Sequence, residues 1–243
     1  FRNVTGVQTC ALPILSCHPE RLIDGARTVV SAALCYHEPE PERPAGHGRL
    51  PRYAWHDGYA TLRRALDLVG RALEAPYRVL VDANQHVDRA AAVRSGVGFY
   101  GKNTMVITRR HGSWVVLGTL VTTAPLDETA PLAADCGSCR LCVDACPTGA
   151  LDEPGTLDAT RCLSYWAQTP GSFPTAYRQA MGAQVYGCDI CQEVCPFNGS
   201  KRATPAADPD FAPDLRHGAR PLVELLADRK STRLNSSHVS ESR

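Results

Sequence analysis

A mixed α+β fold in two parts is predicted by three features of the sequence. Through the first half, apolar β-branched runs alternate with helical patterns, the arrangement of an α/β sandwich in which helices cover strands. After Thr123 the composition turns to Ala, Pro and acidic residues, a linker composition. Beyond it, eight of the 11 cysteines fall between Cys136 and Cys195, in two sets that each end on a proline.

Taken in order, Arg27–Tyr36 (RTVVSAALCY) is expected to be a buried strand, and Glu38–Pro51, rich in Pro, Gly and charge, a loop. Ala60–Glu74 repeats Leu62, Leu66, Val69 and Leu73, the stripe of an amphipathic helix. Arg78–Asp82 reads as a short strand ending on a carboxylate, and Asp88–Ser95 as a helix stopped by Gly96. Thr104–Thr108 and Trp114–Thr122 are predicted strands, joined as a hairpin through Arg109-Arg110-His111-Gly112. Gly96-Val-Gly98-Phe-Tyr-Gly101 matches G-x-G-x-x-G, but a dinucleotide fingerprint follows a strand and opens a helix. Here the order is reversed, so a tight turn is expected. Cys17 and Cys35 are expected to be buried packing residues. Past Phe197 the chain is Pro- and Asp-rich, and Ala219–Ala227 begins a helix.

The first cysteine set, Cys136-Gly-Ser-Cys139-Arg-Leu-Cys142-Val-Asp-Ala-Cys146-Pro147, has the C-x2-C-x2-C-x3-C-P spacing of bacterial ferredoxins. The second, Cys188-Asp-Ile-Cys191-Gln-Glu-Val-Cys195-Pro196, lacks the opening cysteine, and Cys162 is the candidate to replace it. Three thiolates in seven residues wrap one face of a cuboidal cluster, while the fourth is carried into the next turn and ligates the other cluster. That rule assigns Cys136, Cys139, Cys142 and Cys195 to one [4Fe–4S] cluster, and Cys162, Cys188, Cys191 and Cys146 to a second. Zinc usually takes two separated cysteine pairs instead. Disulfides suit small secreted scaffolds, and many cysteines in an ordinary globular composition fit a reducing cytoplasm.

The two ends are expected to be foreign to the fold. Val4–Ile14 (VTGVQTCALPI) and Asp228–His238 (DRKSTRLNSSH) can each be encoded by the reverse complement of the other. This is the mark of an adapter read on both strands, a scar to be set aside. Residues 1–14 and 228–243 then flank an internal fragment, about Leu15 to Ala227. It divides into an α/β domain over 15–130, a ferredoxin-like domain over 131–200 and the start of a helical region over 201–227. Without the ends, 21 basic residues face 23 acidic ones, so a nucleic-acid surface would have to be a local patch. No run of eighteen apolar residues suggests a membrane span.

A ferredoxin unit alone does not account for the hundred-odd residues before it. Val81-Asp82 followed by Asp88-Arg89-Ala90, Gly96-Val-Gly98-Phe-Tyr-Gly101-Lys102-Asn103-Thr104, Gly112-Ser113-Trp114 and Leu117-Gly118 resemble epoxyqueuosine reductases. So do Asp135–Cys139, Ala145–Ala150, Arg161–Tyr165 and Tyr186–Asp189. Asn84-Gln85-His86 departs from that family, which commonly has small residues and proline there.

The resemblance implies an enzyme that uses base-off cobalamin, in the 15–130 domain, and two [4Fe–4S] clusters. Its reaction removes the epoxide oxygen of epoxyqueuosine in the anticodon loop of tRNA, giving queuosine. An external flavodoxin or ferredoxin system would supply electrons, and a cytoplasmic monomer is expected. The family's proton donor falls on Asp82, a carboxyl that desolvation in a pocket would let hold a proton at neutral pH. Lys102 and Asn103 are placed to hold the corrin's amides or tail phosphate, and Ser164 and Asp189 to contact the macrocycle beside the clusters. Tyr53 and Trp55, interleaved with Arg49 and Arg52, are candidates to stack on RNA or corrin. A reductive-dehalogenase-like cobalamin enzyme and a pure electron carrier are the alternatives.

Overall fold

The structure is a computed structural model that describes residues 4–5, 18–83, 86–199 and 218–227. Its elements in chain order are β1 (Val4–Thr5), β2 (Thr28–Cys35), β3 (His47–Gly48), α1 (Gly58–Ala72), β4 (Tyr77–Val81) and α2 (Asp88–Arg94). β5 (Phe99–Tyr100), β6 (Val106–Ile107), β7 (Val115–Thr122), α3 (Leu141–Asp144), β8 (Thr156–Leu157) and α4 (Leu163–Gln168) follow. α5 (Arg178–Met181), α6 (Ile190–Glu193), β9 (Arg220–Pro221) and α7 (Leu222–Ala227) complete them.

The main sheet is antiparallel in the order β2-β7-β4, with β7 at its centre. β2 pairs with all of β7, from Thr28↔Thr122 to Cys35↔Val115, and β4 covers the other edge from Tyr77↔Thr122 to Val81↔Gly118. β7 reads VVLGTLVT and is buried almost throughout, as a strand covered on both faces must be. One face packs on α1: Leu62 and Leu66 meet Val81, Val116 and Leu120, with Tyr36 and Trp114 closing the end. Gly118 makes that approach possible, since a Cβ there would lie 2.9 Å from each of Leu62, Leu66 and Val81. On the other face the Thr119 hydroxyl donates to the Asp88 carboxylate of α2 at 3.2 Å. Helices thus lie on both faces, the sandwich expected. Asp57 caps α1 by accepting from the Ala60 N–H at 2.9 Å.

The expected hairpin is not formed as drawn. β6 pairs with β5 (Phe99↔Ile107, Tyr100↔Val106), and the turn after it closes only the Thr108↔Gly112 bridge. β7 instead finds two long partners, and eight register pairs outweigh what a two-residue strand can offer. Gly96, at φ 75, ends α2 and the chain enters β5, so the glycine motif is a helix stop, as its order implied.

Past β7 the chain runs without regular structure until short helices frame the cysteines. α3 and α6 pack together, and β9 turns back to pair with β3. Cys35 is buried. Val4–Thr5 pairs with β8, away from the main sheet, where no consistent contact was expected. The rest of the two suspected scars, Cys10, Cys17, Asn84, Gln85 and the Pro- and Asp-rich stretch over 201–217 lie outside the described residues. No described helix is long and apolar enough to cross a membrane.

Candidate functional site

The cysteines sort by place, not by order along the chain. Cys136, Cys139, Cys142 and Cys195 line one small hollow, together with Asn103, Ile107 and Phe197. Cys146, Cys162, Cys188 and Cys191 face a separate, much larger cavity. Each short helix after a cysteine pair, α3 or α6, carries its last cysteine across to the other group. Apolar contacts hold the loops: Cys142, Val143 and Leu151 pack with Cys146, Cys191 and Val194, and Phe99 and Ile107 pack with Cys195 and Phe197. The Ala150 N–H points at the Cys146 sulfur at 3.3 Å. Burial, then the neighbouring Cys136 and Cys195, pushes the bare Cys142 thiol up to about 11. Burial acts likewise on Cys188, also to about 11. Such thiols give up their protons on binding a metal centre that takes the charge. Among the described residues no three ligand side chains close around a single ion.

The larger cavity, about 970 Å³, lies between the sheet and the cysteine loops, at the upper end for small-molecule pockets, about 300–1,000 Å³. Its lining includes Asp82, Asp88 and Arg89, the rings of Tyr36, Tyr53 and Tyr59, and the Cys146 group. Among the described residues three non-glycine positions have positive φ, and two of them, Asp82 (50°) and Thr104 (66°), are on this cavity. Such backbone persists only where its surroundings hold it. β4 ends at Val81, whose carbonyl accepts from the Arg63 guanidinium at 3.0 Å, and the next residue, Asp82, lines the cavity. Asp82 is exposed there, not desolvated as expected. Of the other carboxyls on this cavity, Asp189 is buried and Asp88 is half-buried.

The other anticipated contacts divide. Asn103 is 3% exposed and borders both hollows. Its amide reaches the Cys191 carbonyl at 3.4 Å, and its carbonyl accepts from the Met105 N–H at 3.2 Å. Lys102 is turned away from the larger cavity: its ammonium donates to the Gly137 and Cys139 carbonyls at 2.6 and 2.9 Å. Two carbonyls of a tight cysteine loop make a better cation site than the open cavity, so it clamps that loop. Ser164, on α4, faces the larger cavity and accepts from Gln168 at 3.0 Å. Asp189 also borders it but is 4% exposed and accepts from the Arg52 N–H at 2.9 Å. Burial raises its carboxyl's pKa despite that bond.

Trp55 is 1% exposed, with its indole N–H donating to the Leu50 carbonyl at 3.0 Å. Arg49 and Arg52 are paired with Glu40 and Glu193 at 2.7–3.3 Å. Arg52 lies over the Trp55 and Trp114 rings. These three residues staple the loop before α1 to α6 and are not a stacking surface; Tyr53 alone of that group lines the cavity.

Two features had no sequence signal. Asn198 accepts from the Ser113 N–H at 2.7 Å and donates to the Ser113 hydroxyl and the Gln192 carbonyl, both at 2.8 Å. Ser113 also donates to the Gln192 side chain at 2.9 Å. This buried polar knot joins the start of β7 to the second cysteine loop. Asp88, first residue of a helix, reads in sequence as an ordinary first-turn acid. Burial, then the charge of Asp82, pushes its carboxyl up to about 7.

Comparisons with known proteins agree with this geometry. Residues 17–88 match a family described as Epoxyqueuosine reductase QueG, DUF1730, and residues 135–198 a 4Fe-4S double cluster binding domain. An epoxyqueuosine reductase of Lactococcus garvieae is 39% identical over 220 residues, 85% of this chain and 62% of the relative. One of Bacillus subtilis is 37% identical over 239 residues, 92% of this chain and 61% of the relative. A solved epoxyqueuosine reductase with an epoxyqueuosine-modified tRNA-Tyr stem loop superposes with TM-score 0.81 at 36% identity, covering 90% of this chain and 60% of that one. Another, from Bacillus subtilis with its catalytic aspartate loop swung out of the active site, gives 0.79 at 36% identity, covering 88% and 59%. The chain therefore spans about 60% of the length of the curated relatives it matches. Over both of its parts it is similar in sequence and in fold to epoxyqueuosine reductases.

Proposed function

We propose that this chain is an epoxyqueuosine reductase that reduces epoxyqueuosine to queuosine at the wobble position of tRNA. The observation that carries the reading is one cavity lined both by a carboxyl, Asp82, and by the four thiols of one cysteine group. Reductive removal of an epoxide oxygen needs an electron source and an acid facing the same bond. Here both line the same cavity.

In this reading, residues 15–130 form the cofactor and substrate half and residues 131–200 hold two [4Fe–4S] clusters on the two cysteine groups. The cavity fits a cobalamin: it is large, walled by tyrosines and apolar β7 residues, and opens directly onto the Cys146 group. Tyr53, Tyr59, Asn103 and Ser164 would border the macrocycle. Bound there, cobalamin supplies a low-valent cobalt that can act on a strained C–O bond. Asp82 gives a proton to the oxygen as its bond to carbon breaks, so that no free alkoxide forms. Its constrained backbone fixes where that proton is offered. Lys102 and Asn103 hold the cysteine loops against β6, keeping the two thiol groups in a fixed relation to the cavity. The tRNA would present its modified base from the open side, as a flipped base is presented to an enclosed site, and electrons would come from an external flavodoxin or ferredoxin system.

The test is anaerobic reconstitution with iron, sulfide and cobalamin, then incubation with epoxyqueuosine-containing tRNA and a low-potential reductant. Nucleoside analysis should show queuosine replacing epoxyqueuosine. Protein that carries both cofactors and leaves the epoxide intact would refute the reading.

A further inference from the structure

We infer that Asp88 holds the second proton of this reduction and passes it to Asp82, so that the cavity works with a pair of carboxyls rather than a single acid. The inference rests on the function proposed above. Converting an epoxide to an alkene breaks both C–O bonds, forms one C=C π bond and releases the oxygen as water. It consumes two electrons, delivered as two equivalents of a one-electron reductant, and two protons. A single carboxyl can give one proton and must be reloaded before the second is needed. A second carboxyl on the same cavity can supply that proton: Asp88 protonates the Asp82 carboxylate left by the first transfer, Asp82 gives the proton to the departing oxygen, and both recover protons from solvent between turnovers.

The placement suits the role. Asp82 closes β4 and Asp88 opens α2, and both border the same cavity. Asp88 is anchored: the hydroxyl of Thr119, 0% exposed in the middle of β7, donates to it at 3.2 Å. Among the described residues it has no ion-pair partner. The adjacent Arg89 guanidinium donates to the Thr104 carbonyl at 3.2 Å.

The charged groups acting on Asp88 are Asp82 beyond β4 and Arg89 on α2 itself. Tyr59 of α1 lies close enough to interact with both carboxyls. His86 shares the cavity wall and Tyr100 of β5 faces Arg89. β2 and β7 carry no charged side chain over their spans, apart from the ionisable Cys35 thiol at the end of β2. Burial and the Asp82 charge outweigh Thr119 and Arg89, leaving Asp88 near half-protonated at neutral pH. A first-turn acid kept only for the helix would be solvated and ionised, with its pKa drawn down by the N-terminal dipole.

Two measurements test it. In the unreacted full chain, infrared difference spectra between wild type and Asp88→Asn should show a protonated carboxyl that disappears on titration through about pH 7 and is missing in the variant. In the reconstituted enzyme, kcat/KM should fall as pH rises through the same range. Asp88→Asn, which keeps the Thr119 hydrogen bond but cannot supply the proton, should lose that limb and about 10–100-fold of kcat, less than a direct donor contributes, while Asp88→Glu restores the limb. Wild-type rate and pH profile in Asp88→Asn would overturn the inference while leaving the proposed function standing. So would an active enzyme whose Asp88 is ionised throughout. Failure of the wild type to make any queuosine would sink the function first and the relay with it.

Discussion

Replacing Asn198 by alanine should loosen the joint between the sheet and the second cysteine loop. Asn198 is buried and makes three hydrogen bonds of 2.7–2.8 Å, two to Ser113 and one to the Gln192 carbonyl. Alanine leaves the buried Ser113 N–H without an acceptor, a cost of about 1–3 kcal/mol. The Gln192 carbonyl and Ser113 hydroxyl keep other partners, so the whole change stays at about 1–3 kcal/mol. A chain of this size shifts Tm by about 2–4 °C per kcal/mol, which predicts a fall of roughly 2–12 °C at equal cofactor loading. Because Cys195 lies three residues away and its hollow is separate from the larger cavity, iron held by the first cysteine group should be lost before that held by the second. Scanning calorimetry with iron analysis reads both. A Tm within about 1 °C of wild type would mean that water replaces the amide at no cost and that the knot does not hold the two parts together.

Asp82→Asn should leave cobalamin and tRNA binding nearly unchanged and lower kcat by about 10²–10⁴-fold; loss of cobalamin binding instead would give Asp82 a positioning role. Cys162→Ala should damage one cluster and spare the other, so that electron paramagnetic resonance finds one signal altered; two unchanged signals would remove Cys162 from the ligands. Asp88 has a second consequence, in stability. Its folded pKa of about 7 lies above its ordinary value of 3.8. The stabilisation from its bound proton is therefore complete below about pH 4 and lost as pH rises through 7, up to about 4 kcal/mol. The Tm difference between wild type and Asp88→Asn, followed from pH 5 to 8, should move in favour of the variant; a flat difference would place the Asp88 pKa in the usual carboxylate range.

Local chemistry made much of this protein legible from sequence. The cysteine spacings determined not only which residues gather but that each run lends its last thiol to the other group, because a short helix can carry the chain only one way out of a tight loop. The β2, α1, β4, α2 and β7 segments were readable for the same reason: their periodicity is set by neighbours within a few residues. The β6 pairing turns on competition among strands for β7, while the clamp made by Lys102 and the pairing of Arg49 and Arg52 with Glu193 depend on partners 35 to 144 residues away. The Asn198 knot and the environment of Asp88 depend on the fold likewise. A carboxyl at the start of a helix has one meaning in water and another against Thr119 and Asp82, and only the fold brings those groups together. Residue type supplied the possible chemistry; desolvation and long-range contact decided where each charge or proton resides.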